Sequence, residues 1–524
     1  MMSHLASAFL AGLNALLAVF ALSRGRFASL GARRWPALAL LGVLAAVGLG
    51  AHLDFGRFHG DRGAVHYWDF FHYYMGSAYF DELGYAGLYD AAARADLEDE
   101  PGAVDEQAPV RSLTDYRIGS RRDAAERGAR SAAGFTPERW AWFKADLAVF
   151  RASSPGAWRA SAVLMDHGYN GTPLVSAVLG SLPRMGLSDT GAFVRVAAFA
   201  DLALAILVAL LIGRWLGAES GLLFLALFAL NPFNDFAMIG GSYLRHLHLL
   251  LLGLGIAAFH SGRKTASGAL LAAASLLRLF PLLLVAGLAL NHLLHRDRRA
   301  LWRRNARFWI AFAVSCAVLV GVTSARYGRR EENPWSEFAA KISVHANKLT
   351  PNVVGLAYPF LYSAEKNATV IEESWRDGRR LNWVEEAEKT LAGRREVFIV
   401  AGALLALLVL LAVRRSDEGA GMLAGLAAVF GAFHLSHYDW AVLCLVPLIL
   451  PGRRWVLPGV ALLFAAVAAI RLVPALDAVL DLRFCAASAL LGLALAAALV
   501  AEALAGGRAP SSPALVSDTV DGGR

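Results

Sequence analysis

Residues 269–294 of the chain read ALLAAASLLRLFPLLLVAGLALNHLL, an apolar run interrupted by Arg278 and Pro281. Basic residues flank this run, with Arg263 before it and a cluster at 296–307 after it. A single membrane crossing would place these two basic groups on opposite sides of a bilayer, whereas basic loops favour the cytoplasmic side. Two half-helices that meet at this arginine and proline remove the conflict, because proline cannot donate a backbone hydrogen bond and favours a break.

The composition of the whole chain supports the same interpretation. Of 524 residues, 57% are apolar and 18% are charged, and the mean hydropathy is +0.48. Soluble proteins average about a quarter charged residues, so this deficit predicts an all-α, polytopic integral membrane protein with about 11–13 transmembrane segments. The formal charge of +8 comes from short arginine clusters between apolar runs. This placement indicates a lipid bilayer as the partner and excludes nucleic acid.

The alternation of apolar and polar segments divides the chain into six parts. With the broken helix pair, the basic groups that flank the spans fall on one side, taken as cytoplasmic, and Arg471 and Arg483 are the exceptions. The parts are two N-terminal transmembrane helices (1–53), a first external loop with interfacial helices (54–190), a transmembrane core with the broken pair (191–324), a second external loop (325–396), C-terminal transmembrane helices (397–505) and a disordered cytoplasmic tail (506–524). A hydrophilic insert at 91–133 either carries acceptor specificity or is disordered.

The densest polar and aromatic stretch is residues 66–90, HYWDFFHYYMGSAYFDELGYAGLYD. A carboxylate beside imidazoles on an aromatic surface is suited to general base catalysis. The open alternative is an interfacial helix whose tyrosines and tryptophan anchor at the lipid headgroups. Helical spacing places on one face His66, Asp69, His72, Tyr73 and Gly76.

This stretch resembles the first external loop of the bacterial GT-C glycosyltransferases related to polyprenol-phosphate-mannose-dependent alpha-1,2-mannosyltransferases. Four further segments are similar in the same order: His167-Gly-Tyr-Asn-Gly-Thr-Pro-Leu174, Gly240-Gly-Ser-Tyr-Leu-Arg-His-Leu247, Leu276-Leu-Arg-Leu-Phe-Pro281 and Leu435-Ser-His-Tyr-Asp-Trp440. Where the family has Gln, Asn and Lys, this chain has Ser242, Arg245 and Arg278. The segment from Asn352 to Leu356 resembles the family's Asn-x-Ser-x-x-Gly loop without its Ser. The motifs are short, and their shared order carries the resemblance.

The resemblance implies a GT-C-like membrane glycosyltransferase at the outer face of the bacterial inner membrane. It would transfer one sugar, with mannose expected, from a polyprenyl-phosphate donor to a lipid or glycan acceptor, with inversion. Asp69 is then the base that deprotonates the acceptor, Asp54 is its rival, and Asp166 is a third candidate. No metal or other obligatory cofactor is expected, because the histidines lack a metal-ligand spacing. We expect a monomer.

A lipid phosphate that leaves with developing negative charge requires fixed cations. Arg278 is the first candidate, because an arginine inside an apolar run is costly unless it faces a cavity or an anion. The further donor-phosphate candidates are Arg245 and His246, which precede a helix, and His345 and Lys348, which share a helical spacing with Lys341. For these groups, ordinary contact with lipid headgroups is the open alternative. The candidate substrate contacts are His66, His72, Tyr73, Asp166, His167, Asn352, His437, Tyr438 and Trp440, the last with a ring for sugar stacking.

A second class of protein accounts for the same broken helix. Multi-pass transporters and lipid flippases also build binding sites from discontinuous helices near the membrane midplane. We detect no inverted repeat in the sequence, and the polar residues gather on one predicted face instead of at the midplane. The enzyme interpretation therefore takes precedence over the transporter.

Overall fold

The computed structural model describes residues 3–29, 34–60, 63–99, 102, 104–185, 189–328, 330, 332–346, 349–371 and 382–505. These residues form helices, with two small antiparallel sheets that pair Pro109–Arg111 with Ile118–Ser120 and Val353–Val354 with Leu435–Ser436. The predicted all-α fold class is confirmed. The predicted cytoplasmic tail, 506–524, lies outside the described residues.

The apolar helices occur where hydropathy predicted them, and the chain is a multi-pass membrane protein. Among the described residues, six helices are long and apolar enough to cross a bilayer: His4–Ser23, Trp35–His52, Thr190–Leu216, Ala306–Arg326, Arg395–Arg415 and Leu480–Ala505. Shorter apolar helices lie between them: Ala218–Leu230, Leu247–His260, Lys264–Leu277, Pro281–Leu294, Glu418–Ala432, His437–Ile449 and Val456–Ile470. The segment His437–Ile449 begins as a 3-10 helix over His437–Leu445.

The two polar regions consist mainly of short helices. In the first region these are Asp54–Gly56, Tyr67–Phe70, Phe71–Met75, Gly76–Ala78, Phe80–Leu83, Leu88–Asp99, Arg121–Ala133, Pro137–Ser153, Pro155–Arg159, Val163–Met165, Pro173–Leu179 and Leu182–Met185. In the second they are Pro334–Ala346, Tyr358–Leu361 and Trp383–Gly393. Short helices also lie between the apolar ones, at Phe236–Ile239, Arg298–Arg304 and Pro474–Asp477.

The hydrophilic insert at 91–133 is folded in its described part. Its second helix, Arg121–Ala133, starts with a capping box between Ser120 and Asp123. The fully buried Arg121 guanidinium lies 3.7 Å from the Asp96 carboxylate and donates to the Ser161 hydroxyl at 2.7 Å. A buried charge is tolerated only when it is paired in this way. The disordered alternative is therefore wrong for the described part of the insert.

The predicted helix break is present. The first half-helix ends at Leu277, Arg278 is extended (φ −147°, ψ 131°), and the second half-helix begins at Pro281. The Thr172 hydroxyl donates to the Leu276 carbonyl at 2.6 Å, which satisfies one of the carbonyl groups that a helix end leaves free. The break is thereby joined to the first polar region.

Two of the basic loops meet at one end of the helix bundle. Arg304 pairs there with Glu418, and Arg453 pairs with Glu502 at 2.9 Å. The helix Ala306–Arg326 rises about 30 Å from this end, given 1.5 Å per residue. Its last residue pairs with Asp81 of the first polar region at 2.9 Å. The end with the basic loops and the end with the first polar region are therefore opposite, in agreement with the arrangement predicted from arginine placement.

Arg471, one of the two predicted exceptions, lies at the end that carries the first polar region. Its guanidinium pairs with Asp235 at 2.8 Å. Asp235 caps the short helix Phe236–Ile239, and the next residue, Gly240, lies with its carbonyl oxygen 3.0 Å from the His59 ring nitrogen. Arg471 is therefore an exception to the one-sided placement of the basic residues because it pairs with Asp235 at the opposite end.

Gly241 lies where the chain passes against the first polar region, and it provides a test of this packing. Its φ is +65°, and a Cβ there would lie 1.7 Å from the Ala64 carbonyl oxygen. We expect Gly241→Ala to lower the free energy of unfolding by about 3 kcal/mol or more, since steric clash adds to backbone strain. Gly262→Ala is the matched control, because Gly262 has a φ of +79° and a Cβ there would meet no atom within 4 Å.

The control substitution should lower the free energy of unfolding by only about 1–2 kcal/mol. Thermal unfolding in detergent compares the two variants. Equal losses would contradict the close packing of Gly241 on Ala64.

Candidate functional site

The stretch predicted as one regular helix contains a π-helical turn at Phe71–Met75. A π-turn holds more residues than an α-turn, so it changes which side chains share a face, and such turns are frequent at functional sites. The side chains that were predicted to share one helix face therefore point to two different places. Asp69 and Tyr73 contact Arg245, whereas the His72 ring lies 2.7 Å from the Tyr89 hydroxyl.

Asp69 and Arg245 form a buried ion pair. The Asp69 Oδ1 lies 3.1 Å from the Arg245 Nε, and the Tyr243 amide donates to Oδ2 at 3.1 Å. The side chains of Asp69 and Arg245 are only 8% and 7% exposed. The guanidinium carbon of Arg245 lies 4.0 Å from the centre of the Tyr73 ring, a cation–π contact. The carboxylate and the cation are thus held in fixed positions.

A second ion pair lies beside the first. Arg278, at the helix break, donates to the Asp439 Oδ1 at 2.7 Å. Its side chain keeps 24% exposure, more than Asp69, Arg245 or Asp439. The Arg245 guanidinium also donates to the Tyr438 hydroxyl at 3.3 Å, so adjacent residues of one segment contact both arginines.

Both arginines line one small cavity of about 30 Å³. Tyr73, Gly171 and His248 lie in the same wall. We call Asp69, Arg245, Arg278 and Asp439 the ion-pair cluster. It carries two positive and two negative charges, so an incoming anion would have to compete with a carboxylate for an arginine.

The backbone next to the ion-pair cluster is strained. Leu244 has a φ of +53°, in the left-handed region that residues with a side chain rarely adopt. Such residues cost of order 1–3 kcal/mol and concentrate at functional sites. The strain supports the view that the segment Gly240–Arg245 is shaped for binding.

The polar groups of the first region lie around the stretch that carries Asp69. The Trp68 indole donates to Asp166 Oδ2 at 2.7 Å, and the His167 amide donates to Oδ1 at 2.8 Å. Burial raises the pKa of Asp166, but hydrogen bonds from His167 and Trp68 and the nearby His72 outweigh it and hold that pKa well below its usual value. Burial lowers the pKa of His72. A carboxylate with a lowered pKa is a weaker base, so this environment disfavours Asp166 as the group that accepts the acceptor's proton.

Several other candidates lie elsewhere in the structure. Asp54 accepts a hydrogen bond from the Ser3 hydroxyl. The His246 Nδ1 lies 3.1 Å from Asp201. The Asn352 carbonyl accepts from the His437 amide at 3.2 Å, which continues the small sheet. The His437 ring packs on Phe484 and lines a separate cavity of about 50 Å³ with Arg471.

The predicted role of Trp440 is wrong. Its side chain is 0% exposed, and its indole donates to the Val354 carbonyl at 3.1 Å, so no ring face is available to a sugar. Its position after polar residues at a helix end suggested an interface residue, but the 3-10 helix turns it into the core. Lys348 and the side chain of His345 lie outside the described residues. Lys341, predicted with them, donates to the His167 carbonyl at 3.1 Å.

Sequence reasoning missed His248 and Thr172. The buried His248 lines the cavity with both arginines. Its position in the first turn of an apolar helix was an available signal, because ionisable residues in membrane helices are functional candidates. Thr172 precedes a proline, a pattern typical of a helix N-cap, but its bond to Leu276 depends on tertiary packing.

Part of the chain is similar to a known protein family. Residues 168–360 match the PIG-U family, described as GPI transamidase subunit PIG-U. The matched part is a little over a third of the chain; it contains Arg245 and Arg278, whereas Asp69 and Asp439 lie outside it. No curated protein and no solved structure matches the chain. The chain is therefore a multi-pass membrane protein whose central part is similar to PIG-U.

His66 provides a pH-dependent test of the Asp69 segment. Its Nδ1 accepts a hydrogen bond from the Asp69 amide at 3.1 Å, and burial lowers its pKa from 6.5 to about 4. Below its ordinary pKa, the unfolded chain takes up a proton that the folded His66 refuses, so the protein loses stability as the pH falls. At about pH 5 this loss reaches about 2 kcal/mol. His66→Asn keeps a capping oxygen and does not titrate.

We therefore expect His66→Asn to lose less stability than the native chain between about pH 7 and pH 5. Thermal unfolding in detergent at both pH values measures the difference. His4→Asn, at a histidine whose side chain is 75% exposed, is the control. If the native chain and His66→Asn lose the same stability between these pH values, His66 is not the source of the acid-induced loss.

Proposed function

We propose that the protein is a membrane glycosyltransferase of the GT-C type that transfers one sugar, mannose being the expected one, from a polyprenyl-phosphate donor to a lipid or glycan acceptor. The observation that carries this proposal is the convergence of Arg245 and Arg278 on one cavity at a helix break, beside the buried Asp69. Two fixed cations in a site shielded from water suit a leaving phosphate. A carboxylate next to them suits the removal of a proton from the acceptor hydroxyl.

In the proposed reaction Asp69 takes the proton of the acceptor hydroxyl, and the oxygen bonds to the anomeric carbon from the face opposite the phosphate. The bond between that carbon and the phosphate oxygen breaks, and its electron pair leaves with the phosphate. Arg278 and Arg245 hold the additional negative charge. Because Arg245 pairs with Asp69 at rest, a phosphate that attracts this arginine also releases the carboxylate.

Contacts favour Asp69 over Asp54 as the base. Asp69 contacts a cation of the cavity directly, whereas the described side-chain partner of Asp54 is Ser3, which precedes the first helix. Both carboxylates lie near strained backbone, so strain alone does not separate them. We choose Asp69 because it is next to the arginines that would hold the leaving phosphate. The base and the phosphate must lie on either side of the same anomeric carbon.

A second candidate function is a lipid-glycan-binding subunit without its own chemistry. The match to PIG-U favours it, because that family is described as a subunit of GPI transamidase. It is also favoured by the ion pairs, in which each candidate catalytic group already has a partner. In this case the cluster would bind the phosphate of a glycolipid such as a GPI, and other chains would join the protein. If the protein is instead the proposed glycosyltransferase, we expect a monomer in a bacterial inner membrane, with the ion-pair cluster at the outer face.

Transfer of radiolabelled sugar from a synthetic polyprenyl-phosphate mannose in detergent distinguishes the two candidates. If Asp69 is the base, Asp69→Asn should lower the transfer rate by about 10²–10⁴-fold, since general base catalysis contributes that much. Donor binding, measured by native mass spectrometry, should persist. Asp235→Asn is the matched control, because Asp235 also forms a buried pair with an arginine at the same end.

The control should fold and transfer sugar at the native rate. Transfer by Asp69→Asn at the native rate would overturn the role of Asp69. Donor binding by the native protein without any transfer, across lipid and glycan acceptors, would favour the binding subunit.

A further inference from the structure

An arginine-rich segment, residues 296–307, lies at the end of the bundle opposite the first polar region. It connects the apolar helix Pro281–Leu294 to the apolar helix Ala306–Arg326, and it contains the short helix Arg298–Arg304. Because an apolar helix lies on either side of it, the segment is at the level where the acyl chains of a bilayer give way to the headgroups. We call residues 296–307 the arginine segment.

Most of the positive charge of the arginine segment is not neutralised within the fold. Of its six arginines, Arg304 pairs with Glu418. Asp297 is the only acidic residue of the segment. The other five arginines are exposed and have no ion-pair partner among the described residues; they are Arg296, Arg298, Arg299, Arg303 and Arg307. This surface differs from the ion-pair cluster, where each arginine already has a carboxylate.

Packing on the inner side fixes how the arginine segment is presented. Leu301 is 9% exposed and Asn305 is fully buried. The Asn305 side chain donates to Glu418 at 3.1 Å, which joins the segment to the helix Glu418–Ala432. The segment is therefore held in place by its buried side, while its arginines remain on the outside.

Two of the exposed arginines repel each other. Arg299 and Arg303 are four residues apart in the helix Arg298–Arg304, so their side chains are neighbours on one face. Like charges at this spacing destabilise a helix. An anion between the two guanidinium groups would remove the repulsion, and guanidinium groups match the geometry of phosphate oxygens. The outer face is thus suited to a phosphate group.

Exposed apolar side chains lie directly beside the arginine segment. Leu293, next to the end of the preceding helix, is 56% exposed, and Ile310, in the first turns of the following helix, is 65% exposed. A partner that contacts both the arginines and these side chains needs a negative headgroup joined to an apolar chain. A nucleic acid or an acidic soluble protein would match the arginines alone. The combination therefore favours an anionic phospholipid.

We propose that the arginine segment binds the headgroups of anionic phospholipids in the adjacent leaflet through its five exposed arginines. Clusters of about 4–8 basic residues next to a membrane helix attract such lipids. The inference does not depend on the proposed function, because the segment and the ion-pair cluster lie at opposite ends of the bundle. It adds a second class of lipid that the protein recognises.

Native mass spectrometry of the full-length protein in detergent tests the proposal, with titration of phosphatidylglycerol or of phosphatidylcholine with the same acyl chains. The native protein should bind phosphatidylglycerol more tightly, because phosphatidylcholine carries no net charge. Higher ionic strength should weaken the binding of phosphatidylglycerol, since exposed charges are screened by salt.

The double variant Arg299→Gln/Arg303→Gln removes the two neighbouring charges. Each arginine near a membrane surface contributes about a fivefold gain in affinity for anionic lipid, so this variant should bind phosphatidylglycerol about 25-fold more weakly. Because both side chains are exposed and unpaired among the described residues, thermal unfolding in lipid-free detergent should be unchanged.

Arg130→Gln/Arg159→Gln is the matched control. It removes the same charge from two exposed arginines of the first polar region, which also have no ion-pair partner in the described part of the chain. The control should bind phosphatidylglycerol with the native affinity.

Weaker binding of phosphatidylglycerol by Arg299→Gln/Arg303→Gln alone supports the inference, even if the protein transfers no sugar and the proposed function fails. Equal affinity of the native protein for the two phospholipids overturns it. Native affinity in the double variant also overturns it, since the lipid would then bind elsewhere, for example at the ion-pair cluster. Displacement of phosphatidylglycerol by an equal concentration of inorganic phosphate or of a DNA oligonucleotide would overturn the choice of a lipid as the partner.

Discussion

The helix break at Arg278 is the constraint on which the rest of the structure depends. A guanidinium within an apolar helix pair is costly unless it has a counter-charge, and a broken helix leaves backbone groups without partners. Asp439 supplies the charge and Thr172 satisfies a carbonyl. These two residues come from distant parts of the chain. The break therefore joins the first polar region and a C-terminal segment at one end of the bundle, where the candidate site forms.

The ion-pair cluster is electrically balanced at rest, and this balance shapes what it can do. Breaking a buried pair by removing one partner costs about 3–5 kcal/mol, because the other charge is left uncompensated. A bound phosphate would replace a carboxylate as partner of an arginine, and the displaced carboxylate would then be free to accept a proton. Arg278 is the side chain positioned for this exchange, since it is the most exposed of the four. Exchange at Arg278 displaces Asp439, and release of the base Asp69 requires that the phosphate also attract Arg245.

Much of the fold could be predicted from the sequence, because membrane helices follow directly from apolar runs and basic loops. The helix Pro281–Leu294 and the break before it were predicted from one proline and two arginine clusters. Asp69, Arg245 and Arg278 were predicted as site residues, and the structure brings them together. Features set by tertiary packing were not predictable. The π-turn separates His72 from Asp69, and the 3-10 helix buries Trp440. Neither element has a periodic pattern in the sequence from which it could have been predicted.

The central claim is that the cluster binds a lipid phosphate through Arg278. Native mass spectrometry of the detergent-purified protein tests it most directly, with added undecaprenyl phosphate and with Arg278→Ala beside the control Arg471→Ala, an arginine paired to Asp235 at the same end. The account predicts that the native protein and the control retain the lipid and that Arg278→Ala loses it. Equal retention by Arg278→Ala, or no lipid bound to the folded native protein, would contradict the account.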